Sequence, residues 1–290
     1  MIVEISDSGL TVRIDTLGSQ LMSIRSADGT EYLWQGDPEY WSDRALTLFP
    51  YIGRLTDGKC KVHGKAYPMS IHGFAKDSQF KVSARSADSV TLELESSPET
   101  LARYPFDFCF KTEYSVREST LSVRFVVENR SDEQMPFALG GHPGFNVPLT
   151  DGESFEDYYL EFSSPCEPDR IGYTPEVYLN GRDERFPLED GRRLRLKHNL
   201  FDDDAIILKN MSSCVTLRGK AGRGVTVSYP DMPYLGFWHW PFKPAPYVCI
   251  EPWTSLPSRH ATVEELTCKS DLLRLRAGGV YENTWTVTVF

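Results

Sequence analysis

The sequence predicts an all-β protein built as a large antiparallel β-sandwich. Three observations lead to this fold class. First, apolar and polar residues alternate over many short segments of the 290-residue chain, and turn-forming residues separate the segments. Second, no long amphipathic helix interrupts the pattern. Third, the chain contains no low-complexity linker and no internal repeat, so we expect residues 1–290 to form a single domain.

The first clear segments, 10–15 and 20–25, alternate on either side of a turn and predict a β-hairpin. Residues 31–34 are predicted as the next strand, and 98–103 as a short helix because proline suits a first helical turn. Between 150 and 196 the chain is richer in Asp, Glu, Pro and Arg, which indicates strands joined by longer loops. Further strands are predicted at 79–85, 89–95, 108–116, 120–129, 205–208, 214–218, 224–229, 234–240, 247–251 and 282–290.

Charge and cysteine usage narrow the class of partner. The formal net charge of −10 argues against nucleic acid and against an anionic membrane surface, since both favour clustered Lys and Arg. The six cysteines are scattered without a Cys-x-x-Cys pair, so we expect free thiols in a reducing, cytoplasmic environment. The first residues lack the basic and apolar regions of a secretory signal. A neutral or cationic small molecule remains open as the ligand, and so does the oligomeric state.

Residues 138–148 set one histidine, His142, among glycines, prolines and an aromatic residue. Glycine permits close backbone approach and proline restricts φ, so this composition predicts a non-repetitive segment that aims His142 rigidly. A histidine in such a segment is either structural or catalytic, and the segment alone leaves both interpretations open.

Three further stretches place a polar side chain among residues that are normally buried. Arg54 ends an apolar run, His72 lies between Ile71 and Gly73, and Glu251 ends an apolar strand before a proline. A buried charge costs several kcal/mol unless it is paired or has a function. Arg54 and Glu251 could pair with each other, and His72 could be a core histidine. Together with His142, however, these residues make a plausible acid/base set around a polar ligand.

These residues resemble the aldose 1-epimerases, also called galactose mutarotases, and the match runs in order along most of the chain. The segment 50–55, continued by 57–59, is similar to the family's arginine segment. Residues 71–74 are similar to its His-Gly motif, 141–147 to its second histidine motif, and 250–252 to its Glu-Pro motif. The details resemble most closely the branch related to the LacX proteins. Gly144 and Trp253 depart from the family pattern, which has an aromatic residue and commonly a glutamine there.

The resemblance implies a β-sandwich of the galactose mutarotase type and an aldose 1-epimerase that interconverts the α and β anomers of a free hexose. Ring opening needs one base at the C1 hydroxyl and one acid at the ring oxygen, and no cofactor. By resemblance, Glu251 is the base and His142 the acid. A carboxylate and an imidazolium placed close together would favour each other's charged form. His72 and Arg54 would donate hydrogen bonds to the sugar.

The resemblance also implies an aspartate that binds sugar hydroxyls ahead of a short apolar strand. Residues 202–204 offer three candidates, of which we favour Asp203 or Asp204. Aromatic side chains commonly stack on sugar faces, although such residues are also frequent in cores. The stacking candidates are Trp34, Phe237, Trp238 and Trp253.

Several alternatives compete with this interpretation. A non-catalytic carbohydrate-binding protein on the same fold would not need both His142 and Glu251. A hexose-6-phosphate 1-epimerase would need a basic cluster, which the sequence does not show. A metal site would have to use His72, His142 and His239, whose irregular spacing does not favour metal binding, so no metal is expected. A glycoside hydrolase would need paired carboxylates, and only Glu251 is placed as one.

Overall fold

The computed structural model describes residues 1–290 and contains 23 strands, one short α-helix and four 3₁₀ helices. The strands in the first half are β1 Ile2–Asp7, β2 Leu10–Asp15, β3 Gln20–Ser26, β4 Ala45–Leu48, β5 Lys59–Val62, β6 Lys65–Pro68, β7 Lys81–Arg85, β8 Ser89–Glu95, β9 Phe108–Arg117, β10 Thr120–Asn129, β11 Met135–Phe137 and β12 Gly140–Asn146. Those in the second half are β13 Tyr159–Phe162, β14 Asp169–Arg170, β15 Glu184–Arg185, β16 Arg193–Arg195, β17 Ile206–Lys209, β18 Cys214–Arg218, β19 Gly224–Ser228, β20 Tyr234–Trp238, β21 Tyr247–Trp253, β22 Leu273–Leu275 and β23 Val280–Val289. Helix α1 is Pro98–Leu101, and the 3₁₀ helices are Thr56–Gly58, Ala75–Asp77, Phe155–Asp157 and His198–Phe201.

Two large sheets dominate the fold. The first has nine strands in the order β16-β13-β18-β19-β23-β10-β9-β8-β7, and the second has seven in the order β15-β14-β17-β20-β21-β12-β4. Neighbouring strands in both sheets run antiparallel. The prediction of an all-β antiparallel sandwich is therefore confirmed. The prediction of one domain over the whole chain stays a prediction.

The two large sheets face each other across an apolar core. Seventy-six buried residues form one connected cluster. The Phe162 ring on β13 lies 6.3 Å from the Phe237 ring on β20, and Trp285 on β23 packs against the backbone of Gly141 on β12. Alternation explains the pattern, because each strand sends every second side chain into this layer. The other face of the seven-stranded sheet does not pack against the nine-stranded sheet.

Most local predictions are confirmed. β2 and β3 form the expected hairpin, α1 begins with Pro98 after a Ser97 cap, and 150–196 contains only short strands. Residues 31–34 are an exception, since they form isolated bridges to Arg25 and Phe145 rather than a regular strand. The Glu31 carboxylate accepts hydrogen bonds from neighbouring backbone amides, which takes the place of ladder pairing.

All six cysteines are free thiols, as predicted. None of the helices has the length and apolar character that crossing a bilayer requires.

His239 directly follows β20 and is fully buried, with its ring packed against those of Phe201 and Phe155. Its Nδ1 donates to the Trp240 carbonyl oxygen at 2.8 Å, and its Nε2 lies within hydrogen-bond distance, 3.2 Å, of Nδ1 of His198. Burial lowers the pKa of His239 to about 4.

We predict that acid destabilises the protein through His239. In the unfolded chain a histidine has its ordinary pKa of about 6.5. The unfolded state therefore binds the extra proton first, and stability is lost as the pH falls from about 6.5 towards 4. Between pH 7.5 and pH 5 this histidine should account for about 2 kcal/mol of the fall in the free energy of unfolding.

Urea denaturation at the two pH values checks this prediction. His239→Phe, which keeps an aromatic ring in an aromatic site, should show a smaller fall than the wild type. His260→Phe, at an exposed histidine, is the matched control. An equal fall in wild type and His239→Phe would contradict the prediction.

Candidate active site

The segment that carries His142 is strand β12, an internal strand of the seven-stranded sheet between β21 and the edge strand β4, and not the irregular segment that its composition predicts. Its glycines do not adopt left-handed conformations. They are needed because a Cβ on Gly141 would lie 2.7 Å from Trp285, and one on Gly140 would lie 2.8 Å from Trp253. The glycines thus admit large tryptophans from both sides of a flat strand, which sequence reasoning mistook for a turn.

Strand register places His142 and Glu251 opposite each other. Gly140 pairs with Trp253 and Gly144 pairs with Cys249, so the positions midway between them, His142 and Glu251, face one another on the same side of the sheet. The row continues over the neighbouring strands, because His142 pairs with Leu46 on β4 and Glu251 pairs with Gly236 on β20. Antiparallel pairing of β12 with β21 therefore brings together two residues that lie more than a hundred positions apart in the sequence.

This row forms the floor of a cavity of about 260 Å³, here called the first cavity. Three glycines flank the acid/base pair on the cavity side: Gly140, Gly144 and Gly236. The space that their side chains would take is filled by aromatic rings, Trp253 beside Gly140 and Gly236 and Trp41 beside Gly144, so the glycines let these rings pack close to the sheet around the pair. Side chains that line the first cavity are Trp41, Asp43, Leu46, Arg54, Ile71, His72, Lys76, His142, Val177, Asp204, Ala205, Ile207, Trp238, Trp240, Glu251, Trp253 and Pro257.

His142 and Glu251 are almost completely buried, with 8% and 1% of their surface exposed. Nε2 of His142 lies 3.1 Å from Oε2 of Glu251, but the contact is not aligned as a hydrogen bond. Nδ1 of His142, Oε2 of Glu251 and Nε1 of Trp253 are buried polar atoms without a hydrogen-bond partner. Native cores rarely leave such atoms unsatisfied, so this cluster is arranged for a polar ligand.

Burial controls the protonation of the pair. It lowers the pKa of His142 to about 3. Burial, reinforced by the nearby Asp204 carboxylate, raises the pKa of Glu251 well above its ordinary value. Burial therefore favours a neutral imidazole beside a protonated carboxyl group over a carboxylate beside an imidazolium. The neutral pair and the ionic pair contain the same number of protons. They differ only in whether one proton is on Glu251 or on His142, whose Oε2 and Nε2 atoms are 3.1 Å apart.

His72 and Arg54 lie on one wall of the first cavity. His72 adopts a left-handed φ of 63°, and its Nδ1 accepts from the Gly53 amide at 3.2 Å, which leaves Nε2–H as a donor. Its ring lies 5.4 Å from that of His142. Burial, with help from His142, Lys76 and Arg54, lowers the pKa of His72 well below its ordinary value, so the ring is a neutral donor.

The Arg54 side chain is exposed at the cavity and forms no ion pair. The interpretation that Arg54 simply neutralises Glu251 is therefore wrong. The guanidinium reaches the cavity from the turn after Gly53, where Pro257 packs within 2.4 Å of the position a Cβ would take. A side chain at Gly53 would displace this turn, so the glycine positions Arg54.

The structure separates the two aspartate candidates. Asp204 lines the first cavity in a left-handed conformation with φ of 73°, whereas Asp203 is exposed and lines only a neighbouring cavity. Asp204 is the one that joins His142 and Glu251.

The aromatic candidates also divide. Trp238 and Trp253 line the first cavity. Trp34 and Phe237 do not: the Trp34 Nε1 donates to the Trp41 carbonyl at 2.8 Å in the core, and Phe237 points to the opposite sheet. Sequence reasoning missed Trp41, whose ring lies 4.9 Å from His142, and it missed Asp43 and Lys76. No motif in the sequence marks these three positions.

The histidine-based metal alternative does not assemble, because His239 packs against Phe201 and does not line the cavity. Ligand atoms of His142, Cys249 and Glu251 do lie within 4.8 Å of one another. Burial raises the pKa of the Cys249 thiol well above its ordinary value, which keeps it protonated and a poor ligand. This set of three residues is therefore a poor metal site.

The fold and site together define a class of protein: a β-sandwich with a buried carboxyl–imidazole pair at a cavity on one sheet. Comparison with known proteins specifies the class: the family model for aldose 1-epimerase matches residues 1–284. The chain belongs to this family, whose members are isomerases, and an aldose epimerase activity follows.

Individual relatives support the assignment. The chain is 37% identical to the plasmid-encoded protein LacX of Lactococcus lactis subsp. lactis over 265 residues, which is 88% of each chain. Among solved structures, a galactose mutarotase related enzyme from Lactobacillus acidophilus is 33% identical with a TM-score of 0.95, over 100% of this chain and 97% of that one. A galactose mutarotase-like protein from Lactobacillus casei is 35% identical with a TM-score of 0.93, over 100% of both chains.

Proposed function

We propose that the protein interconverts the α and β anomers of a free hexose, with Glu251 and His142 as the catalytic residues. The observation that carries the proposal is the 3.1 Å approach of the two side chains on a buried sheet face. A carbohydrate-binding module would not need to bury an acid and a base together. A volume of about 260 Å³ suits one monosaccharide.

The proton balance closes within the pair. Transfer of the shared proton from Glu251 to His142 readies a carboxylate and an imidazolium. The carboxylate then removes the proton of the C1 hydroxyl, while the imidazolium protonates the ring oxygen, so that the C1–O5 bond breaks and a C1 carbonyl forms. Rotation about C1–C2 exposes the other face of the carbonyl. Reclosure returns both protons, and the enzyme ends in the state in which it began.

The surrounding residues would orient the sugar. His72 offers Nε2–H, Arg54 offers its guanidinium, and Asp204 offers a carboxylate oxygen, which together complement hydroxyl groups that both donate and accept. Trp238 and Trp253 supply aromatic surface beside them, and the unpartnered Nε1–H of Trp253 adds a donor close to Glu251. Positioning of this kind is a large part of the barrier reduction in reactions with small substrates. The free thiols favour a cytoplasmic location.

A second candidate, a hexose phosphate, is favoured by one observation. Arg54 has no ion pair, and Lys76, whose Nζ also lies 2.8 Å from Oδ2 of Asp77, lines the first cavity with it. The sequence does not show this basic pair, because the two residues lie 22 positions apart and meet only at the first cavity. A phosphate on the sugar would pair with both cations.

We predict that Glu251→Gln and His142→Gln each abolish mutarotation, because each removes one partner of the proton transfer. The rate above the spontaneous reaction should fall by at least about 10²-fold. Polarimetry of freshly dissolved α-D-glucose and α-D-galactose measures it. Glu99→Gln and His260→Gln, at exposed positions, are the matched controls and should retain wild-type rates. A wild-type protein that accelerates no free aldose would refute the proposal for these sugars.

We predict a broad pH plateau of kcat/KM through neutrality. A second proton must enter a buried imidazole, so the acid limb moves below the ordinary histidine range, towards about 3. Loss of the shared proton leaves a buried carboxylate, so the alkaline limb moves upward. Initial rates across the pH range test this. A narrow bell between the ordinary carboxyl and imidazole values of about 4.3 and 6.5 would contradict it.

We predict that, if the substrate is phosphorylated, Arg54→Gln and Lys76→Gln lower kcat/KM for a hexose 6-phosphate about tenfold more than for the free hexose. The reason is that each substitution would remove a charge-assisted hydrogen bond to the phosphate, and such a bond contributes about 1.5–3 kcal/mol. Coupled assays on both substrates measure the ratio, with Lys59→Gln on β5 as the control. Equal losses on both substrates would exclude a phosphate contact.

A further inference from the structure

A second cavity of about 660 Å³ adjoins the first. Asp204 lines both cavities. Two other chain segments also pass from one to the other: Trp240 lines the first and Phe242 the second, and Val177 lines the first and Pro175 the second. The two spaces are thus neighbouring parts of one depression over the end of the seven-stranded sheet.

The second cavity is lined by planar polar side chains and one bare aromatic ring. Arg182, Glu184 and Asp203 have no ion pair or side-chain hydrogen bond within the protein, so their donors and acceptors are free. Phe242 is 81% exposed, an unusual state for a phenylalanine. Free planar polar groups beside an aromatic face match the two surfaces of a sugar ring, its hydroxyl edge and its apolar C–H face.

The charge of the lining argues for a neutral ligand. Two arginines face four carboxylates, which are Glu184, Asp202, Asp203 and Asp204. This excess of negative charge disfavours a phosphate or a carboxylate in the second cavity. A neutral polyhydroxyl group uses both kinds of side chain without a net charge of its own.

The residues between the cavities are held in strained conformations. Phe242, Asp204 and Val177 all have left-handed φ values, of 57°, 73° and 62°. For a β-branched or bulky residue this region is costly and persists only where the surroundings enforce it. The Phe242 amide, for example, donates to Asp202 Oδ1 at 3.2 Å. The exposed ring is therefore presented at a defined place and is not a flexible loop tip.

We propose that the second cavity is a saccharide subsite, and that the preferred substrate is a reducing oligosaccharide. The reducing hexose occupies the first cavity beside His142 and Glu251, and the sugar linked to it lies in the second cavity against Phe242. This inference rests on the proposed function for the assignment of the reducing end. The second subsite raises affinity through contacts that a single hexose cannot make.

Isothermal titration calorimetry tests the subsite independently of catalysis. The probes are glucose, galactose and reducing disaccharides linked through positions 2, 3, 4 and 6 of the reducing hexose. At least one linkage should bind about tenfold more tightly than the parent hexose, which corresponds to about 1.4 kcal/mol. Phe242→Ala and Arg182→Ala should each remove most of this advantage, and Val280→Ala, at an exposed apolar residue of β23, should keep it.

The inference is overturned if no disaccharide binds more than threefold more tightly than its hexose, or if the advantage persists in both Phe242→Ala and Arg182→Ala. Polarimetry on the same sugars separates this inference from the proposed function. Turnover of hexoses without any disaccharide advantage refutes the subsite alone. Tighter disaccharide binding without turnover of any sugar supports the subsite and refutes the mutarotase.

Discussion

The removal of His142 and Glu251 from water is the constraint on which the rest of the site depends. Opposed on adjacent strands and exposed by only 8% and 1%, the two groups lose most of their hydration. Desolvation makes each charge costly by itself, so the pair retains one proton between them. In the mechanism we propose, a sugar hydroxyl that enters the first cavity meets one group that accepts a proton and one that donates a proton, as ring opening and reclosure require.

The β-sandwich holds this buried polar pair in place. The floor of the first cavity belongs to the internal strands β12 and β21, which are held on their other face by the large core. A buried polar pair on an edge strand would be accessible to water and mobile. On internal strands it is fixed by neighbouring strands on both sides, and the glycines around it let Trp41 and Trp253 pack against the sheet.

Several residues that surround the floor of the cavities come from turns and not from the sheet. His72, Val177, Asp204 and Phe242 come from turns, and each has a left-handed backbone conformation. A rigid sheet thus carries the groups that we propose for proton transfer, while constrained turns carry the groups that would recognise the substrate. This division allows recognition to change through the turns while the chemistry of the floor remains the same.

The sequence by itself determined the fold class, the β2–β3 hairpin and the four polar positions Arg54, His72, His142 and Glu251, because alternation and local composition depend only on neighbouring residues. It did not determine that 140–146 is a strand, since the reason for its glycines is contact with Trp253 and Trp285, more than a hundred residues away. Nor did it distinguish Asp204 from Asp203, or place Trp41, Asp43 and Lys76 in the cavity. The register of β12 and β21 and the burial it creates were decided by the tertiary structure, because strand pairing and desolvation are properties of distant segments brought together.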